Sequence, residues 1–201
     1  MRSLVNRRRR VMALRVPNEY QEVTWIGPKN VSAVCYVDTG FTPNQDTRVV
    51  TKVMRTVDSS NAAYYGTETP RFSLMKDRAD YNLADKYHIP VAALNTIVVA
   101  DHNKNYITVN GTKKGPISAY AEFTCEKTLT LWCLNGYLKT TAQFAGRMYY
   151  FKAYDNGVLV RDFVPCYRKK DNVIGFWCRV TKRFYAPTDA SNLVIKGDDV
   201  L

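Results

Sequence analysis

The sequence predicts an all-β fold, an antiparallel sandwich or jelly roll, and three observations carry that expectation. Short runs rich in Val, Ile, Thr and Tyr alternate with clusters of Gly, Pro, Asn and Asp. No stretch of ten or more residues holds a 3.6-residue apolar period. Asn-Gly pairs, a strong signal for tight hairpins, stand at Asn110-Gly111, Asn135-Gly136 and Asn156-Gly157. With 201 residues, 46% of them hydrophobic and 23% charged, the chain can fill one packed domain. The same composition excludes global disorder.

The first 15 residues stand apart. They contain Arg2, Arg7, Arg8, Arg9, Arg10 and Arg15 and no acid, so six of the net +11 charges lie there. A block of like charge repels itself and does not pack alone. Pro17 marks the boundary, giving an arginine-rich arm over 1–16 and a β-sandwich domain over 17–201. Arg7, Arg8, Arg9, Arg10 and Arg15 are the expected docking residues, because a planar guanidinium pairs with a carboxylate at two points. Phosphates are the other anionic target, contacted without sequence preference.

Along the domain, strands are expected at 34–38, 48–56, 62–66, 71–75, 96–101, 105–110, 128–134, 147–154, 158–165, 173–177 and 193–196. Residues 79–87 have room for one or two helical turns. The clearest hairpin is the one through Asp155, Asn156 and Gly157. With Asn156-Gly157 as a two-residue turn, Ala153 faces Val160 and Phe151 faces Asp162. Tyr149, Phe151 and Ala153 then share a core face with Val160, Val164 and Asp162. A buried Asp162 needs a partner, for which Arg147 and Arg179 are the candidates. The same register sets Lys152 opposite Arg161, a repulsive pair. A shifted register, or an anion between them, would relieve it.

Several chemistries find no support. Cys35, Cys125, Cys133, Cys166 and Cys178 include no Cys-x-x-Cys pair, and only His88 and His102 could join them. That is poor material for zinc, so buried free thiols are expected. Nothing calls for a metal or a cofactor. No apolar run reaches the roughly 18 residues of a membrane span. The apolar stretch after Arg10 is shorter than the roughly 7–15 residues of a secretory signal, so cytoplasmic folding is expected. Asn30-Val31-Ser32 and Asn110-Gly111-Thr112 then read as turns.

Glycan hydrolysis needs two carboxylates roughly 5–9.5 Å apart. The glutamates are Glu19, Glu22, Glu68, Glu122 and Glu126. Glu122 and Glu126 share a strand face but lie about 13 Å apart at ~3.3 Å per residue. No Gly-x-Ser-x-Gly elbow is present. A non-enzyme is therefore expected. For sugar binding, Tyr64, Tyr65 and Tyr81 are the candidate stacking rings, since they sit beside turns. Trp132, within an apolar run, reads as core.

Two stretches carry a resemblance. Residues 19–44 read EYQEVTWIGPKNVSAVCYVDTGFTPN, followed shortly by DTRVV. Residues 144–185 read FAGRMYYFKAYDNGVLVRDFVPCYRKKDNVIGFWCRVTKRFY. Together they resemble concanavalin A-like (LamG-like) jelly-roll domains in proteins of gut bacteria and their tailed phages. The matching motifs are Tyr36-Val37-Asp38-Thr39-Gly40, Tyr154-Asp155-Asn156-Gly157, Val160-Arg161-Asp162-Phe163-Val164-Pro165 and Val180-Thr181-Lys182-Arg183-Phe184-Tyr185. At Cys178 the family pattern carries Asp, so an ion-binding role for that position, calcium included, has no counterpart here.

The resemblance implies a concanavalin A-like jelly-roll sandwich in a bacteriophage virion. There it would serve as a structural protein: a capsid decoration, head-fibre or tail-associated protein made in the host cytoplasm. The arm would dock on other virion proteins, with nonspecific nucleic-acid contact and self-association as further partner classes. The sandwich would face outward toward host-surface glycans. The alternative is a freestanding, lectin-like carbohydrate-binding module. A polysaccharide hydrolase ranks third.

Overall fold

A computed structural model describes residues 16–30, 35–59, 62–82, 85–89, 91–116, 121–136, 144–188 and 193–201. Their regular structure is all β, in two antiparallel sheets packed face to face. No helix among them is long and apolar enough to cross a membrane.

In chain order the strands are β1 (Tyr20–Glu22), β2 (Ile26–Pro28), β3 (Val37–Asp38), β4 (Thr47–Arg55), β5 (Ala63–Glu68), β6 (Arg71–Met75), β7 (Arg78–Tyr81) and β8 (Asp85–His88). There follow β9 (Ile97–Asn103), β10 (Tyr106–Val109), β11 (Thr112–Lys114), β12 (Thr130–Leu131), β13 (Gly146–Asp155) and β14 (Val158–Arg168). The last are β15 (Val173–Cys178), β16 (Arg183–Tyr185) and β17 (Val194–Lys196). The large sheet runs β11-β10-β9-β4-β13-β14-β15-β16, with β1 joined to β14 and β2 joined to β13 and β17. The small sheet runs β3-β12-β5-β6-β7-β8.

Aromatic side chains from both sheets meet in the middle. Phe151 of the large sheet meets Tyr65 of the small one edge to face at 5.7 Å. His102 stacks on Phe72 at 4.4 Å with the rings 6° from parallel. Trp132, Phe163 and Phe176 extend the cluster. Offset and edge-on contacts of this kind suit the ring quadrupole and add to the burial itself. All five cysteines are buried free thiols.

Two expectations change. Residues 79–87 hold no helical turn: β7 and β8 pair there, from Arg78 opposite His88 to Tyr81 opposite Asp85. The Asn156-Gly157 turn forms with φ of 44° and 81°, the left-handed pair that a type I′ hairpin requires. Asp155 pairs with Val158 and Tyr154 with Leu159. A bulge then absorbs Val160, so Ala153 faces Arg161, Lys152 faces Asp162 and Phe151 faces Phe163. The repulsive Lys152–Arg161 pair is thereby avoided. Asp162 moves off the core face, and Arg161 takes the inner side at the sandwich's end. A second bulge at Tyr149 takes that ring off the core face too, leaving Met148, Phe151 and Ala153 buried.

Arg161 explains why two family-like motifs belong together. Its Nε donates to Thr39 O at 2.7 Å, and its Nη2 donates to Gly40 O. The Asp38 carboxylate accepts from the Gly40 N–H at 2.8 Å, closing the turn that presents those carbonyls. The two motifs therefore clamp one end of the sandwich.

Candidate functional site

The two sheets differ in what lies on their outer sides. On the small sheet, the segment after β12 stays bonded to β5: Trp132 N–H donates to Tyr64 O, and Asn135 N–H to Gly66 O. Leu134 closes over Gly66 and Ser73, leaving no space for a Cβ at Gly66. Ala63, Met75 and Leu134 form a small apolar cluster there. Ser73 and Asp80 are buried and hydrogen-bonded to each other at 2.6 Å. Every residue of β5 is buried as a result.

Among the described residues, the outer side of the large sheet is covered at one end. Val16 packs on Val164 and Cys166, and Tyr20 lies against Trp177 and Phe184, with both ring pairs at 5.1 Å. Val16, expected in the arm, is thus part of the folded domain. Beyond this patch the sheet opens into a groove of about 450 Å³. Arg48, Val50, Tyr150, Lys152, Tyr154, Asp162 and Arg179 are among its walls. A broader depression of about 550 Å³ beside Glu19, Tyr20 and Arg168–Lys170 offers one ring and lies against a turn. The groove, with its converging polar groups and several rings, is the better built site.

Strand alternation makes this groove. On β4 the residues Arg48, Val50 and Lys52 point outward while Val49, Thr51 and Val53 are buried. On β13 Tyr150, Lys152 and Tyr154 do the same. The register sets Lys52 opposite Tyr150, Val50 opposite Lys152 and Arg48 opposite Tyr154. Arg48 holds Asp101 through Nε at 2.8 Å and Nη2 at 2.6 Å, and its guanidinium lies 5.4 Å from the Tyr154 ring centre. Arg179 holds Asp162 through Nε at 2.9 Å and Nη2 at 2.5 Å. Lys52 Nζ lies 4.9 Å from the Tyr149 ring centre. Tyr149, Tyr150 and Tyr154 are half-buried, with part of each ring toward solvent. Burial, and then the Asp101 carboxylate, push the Tyr150 phenol above the usual tyrosine range, so it stays a neutral donor.

The fold has a solved counterpart. A crystal structure of a "putative carbohydrate binding protein" from Bacteroides ovatus superposes with a TM-score of 0.52 at 12% identity. The match takes in 90% of this chain and 62% of that protein, so this chain spans less than two thirds of its length. At that identity the likeness concerns the fold, a β-sandwich. No protein-family model matches the chain, and no curated protein does.

The expected sugar-stacking rings are not in the groove. Tyr64, Tyr65 and Tyr81 are buried in the core. Tyr64 contacts Phe144 edge to face at 5.2 Å, Tyr65 lies beside Phe72 and Phe151, and Tyr81 meets Phe123 at 5.0 Å. Closeness to turns was the wrong guide, because both sides of the small sheet are covered. The groove's rings are Tyr149, Tyr150 and Tyr154; Tyr150 and Tyr154 share a two-residue spacing with Lys152, alternating with the buried Phe151 and Ala153 along β13.

Asp162 is buried, though on the outer face, and its partner is Arg179; Arg147 instead lies 4.5 Å from the Trp25 ring centre. Asp155 accepts from the Asn44 amide at 2.8 Å, beside the Asn156-Gly157 turn. Arg7, Arg8, Arg9, Arg10 and Arg15 lie outside the described residues. Among the described residues no group of three or more His, Cys, Asp or Glu side chains is placed to hold a metal ion.

Proposed function

We propose that the chain is a non-catalytic carbohydrate-binding sandwich, with sugars lying across the groove on the outer face of the large sheet. The observation that carries this reading is the row of Tyr150, Lys152 and Tyr154 on β13, flanked by the ion-paired Arg48 of β4 and Asp162 of β14. A pyranose offers an apolar C–H face and a rim of hydroxyls. Tyr150 and Tyr154 supply ring surface for the first, while Arg48, Lys152, Asp162 and Arg179 supply donors and acceptors for the second. The sandwich likeness to a protein described as carbohydrate binding supports the same reading. The groove carboxylate Asp162, and Asp101 beside it, are each committed to an arginine, which suits orientation of hydroxyls better than acid–base work.

A glycan array probed with the full chain tests this, followed by calorimetric titration of Tyr150→Ala. Saturable binding that Tyr150→Ala lowers by about tenfold or more, the scale of one good stacking contact, is expected. Equal binding by the variant would move the site elsewhere.

Attachment to a virus particle is a separate proposal, motivated by the motif resemblance and by the arginines of residues 1–15. Deleting residues 2–15 should abolish incorporation into particles; unchanged incorporation would sink it.

A further inference from the structure

We infer that the groove selects acidic glycans, whose carboxylate or sulfate group sits between Lys152 in the groove and Lys52 beside it on the same face of β4. This rests on the carbohydrate-binding reading and narrows its ligand. The charges on this face do not balance. Its carboxylates, Asp101 and Asp162, are each satisfied by one arginine, Arg48 and Arg179. That leaves Lys52 and Lys152 without an ion pair among the described residues.

Their placement matters as much as their number. Lys52 stands opposite Tyr150 and Lys152 opposite Val50, so the two lysines are diagonal neighbours on adjacent strands. Diagonal neighbours on paired strands lie about 7–8 Å apart, within reach of long side chains. Like charges so placed repel each other, and an anion bound between them turns that repulsion into two attractions. Tyr150 stands beside both. It pairs directly with Lys52 and lies two residues before Lys152 on the same face. Its phenol, kept protonated, can donate to the same anion, while its ring carries no aromatic or cationic partner among the described residues.

The apolar patch of Val16, Val164 and Trp177 borders the groove on one side. Arg48 and Tyr154 border it on the other. A negatively charged sugar can thus place its acidic group on the lysines and its ring against tyrosine. A neutral sugar would leave Lys52 without a counter-charge and Lys152 facing only Asp162, whose charge Arg179 already holds.

The experiment is affinity electrophoresis and calorimetry on the full chain with matched probes. Dextran against dextran sulfate isolates the sulfate, and polygalacturonate against its methyl ester isolates the carboxylate charge. The groove variant Lys52→Ala/Lys152→Ala is compared with Lys113→Ala/Lys114→Ala, which removes the same charge from the distant β11 edge. Thermal melting confirms that both variants are folded. An acidic probe is expected to bind at least about tenfold more tightly than its neutral match. The groove variant is expected to lose about tenfold and the β11 variant less than about twofold, the scale of two exposed charge contacts.

Equal affinity for neutral and acidic probes would overturn the inference and leave carbohydrate binding standing. Equal losses in the two lysine variants would also overturn it, since they would reduce the preference to overall charge. No binding to any polysaccharide would overturn the carbohydrate reading itself.

Discussion

Tyr65 and Tyr150 stand on the two sheets of one sandwich, one enclosed and the other partly open. Tyr65 lies between Phe72 and Phe151 and is within 3.2 Å of His102 Nδ1. Tyr150 leaves part of its ring toward solvent on the opposite side of the large sheet. The residue type is the same and both are on strands, so neither composition nor propensity separates them. What separates them is the face each occupies. Tyr65 points between the sheets onto Phe151 and His102, whereas Tyr150 lies on the outer side of the large sheet, which Val16 and Tyr20 cover in part among the described residues. A ring between the sheets contributes to stability, and a ring on the open stretch is free to meet a ligand.

The largest effect expected from this contrast is on stability. Tyr65→Ala should destabilise the fold by about 3–5 kcal/mol, as large-to-small core changes do. Urea unfolding would measure it, and the fraction still folded should keep its sugar affinity. A loss of affinity without a loss of stability would break the contrast.

His102 gives the next effect. Burial lowers its pKa to about 3, against an ordinary value of 6.5. Between those values the unfolded chain holds a proton that the native imidazole refuses. Stability from this source is therefore complete above pH 6.5, falls as the pH drops, and levels off below about 3. The loss from pH 7 to pH 4 is about 3 kcal/mol at ~1.4 kcal/mol per pH unit. His102→Phe should flatten that limb in unfolding curves taken at the two pH values. An unchanged slope would mean the ring is protonated in the native state.

Asp162→Ala should cost less, about 1 kcal/mol, because the stranded Arg179 is partly exposed and can turn to water. Chemical unfolding would show it, and a loss above about 3 kcal/mol would mean the pair is more enclosed than its geometry implies. Smallest is Tyr150→Ala, which should shift stability by under about 0.5 kcal/mol. A thermal melt comparable to Tyr65→Ala would show that the open face is in fact closed.

Much of the sandwich was legible in the chain. The expected strands at 71–75, 147–154 and 173–177 fall on β6, β13 and β15. Asn110-Gly111 and Asn156-Gly157 both turn with positive φ at each residue. These signals are local, and local rules suffice for them. The third pair, Asn135-Gly136, is different: Asn135 bridges Thr67 in parallel instead of opening a two-residue hairpin. The region at 78–88 misled because its alternation is short, and β7 and β8 exist through pairing with β6.

The site was harder to read. Its position depends on two bulges, at Tyr149 and Val160, and each reverses the facing of the residues beyond it. A one-residue slip exchanges core and surface, and nothing in the Tyr149-Tyr150 doublet says which ring is the extra one. Cover by a distant segment, such as Leu134 over Gly66, leaves no periodic trace at all. The repulsion expected between Lys152 and Arg161 was nonetheless a usable warning. It marked the register that the bulge at Val160 corrects.

The most direct test is side-chain footprinting of the full chain with and without a bound acidic polysaccharide. Tyr149, Tyr150 and Tyr154 should become protected on binding, while the exposed Tyr106 at the start of β10 and Tyr36 beside β3 keep their rates. Protection at Tyr106 or Tyr36, with the three groove tyrosines unchanged, would place sugar binding on another surface and contradict the assignment of the open face.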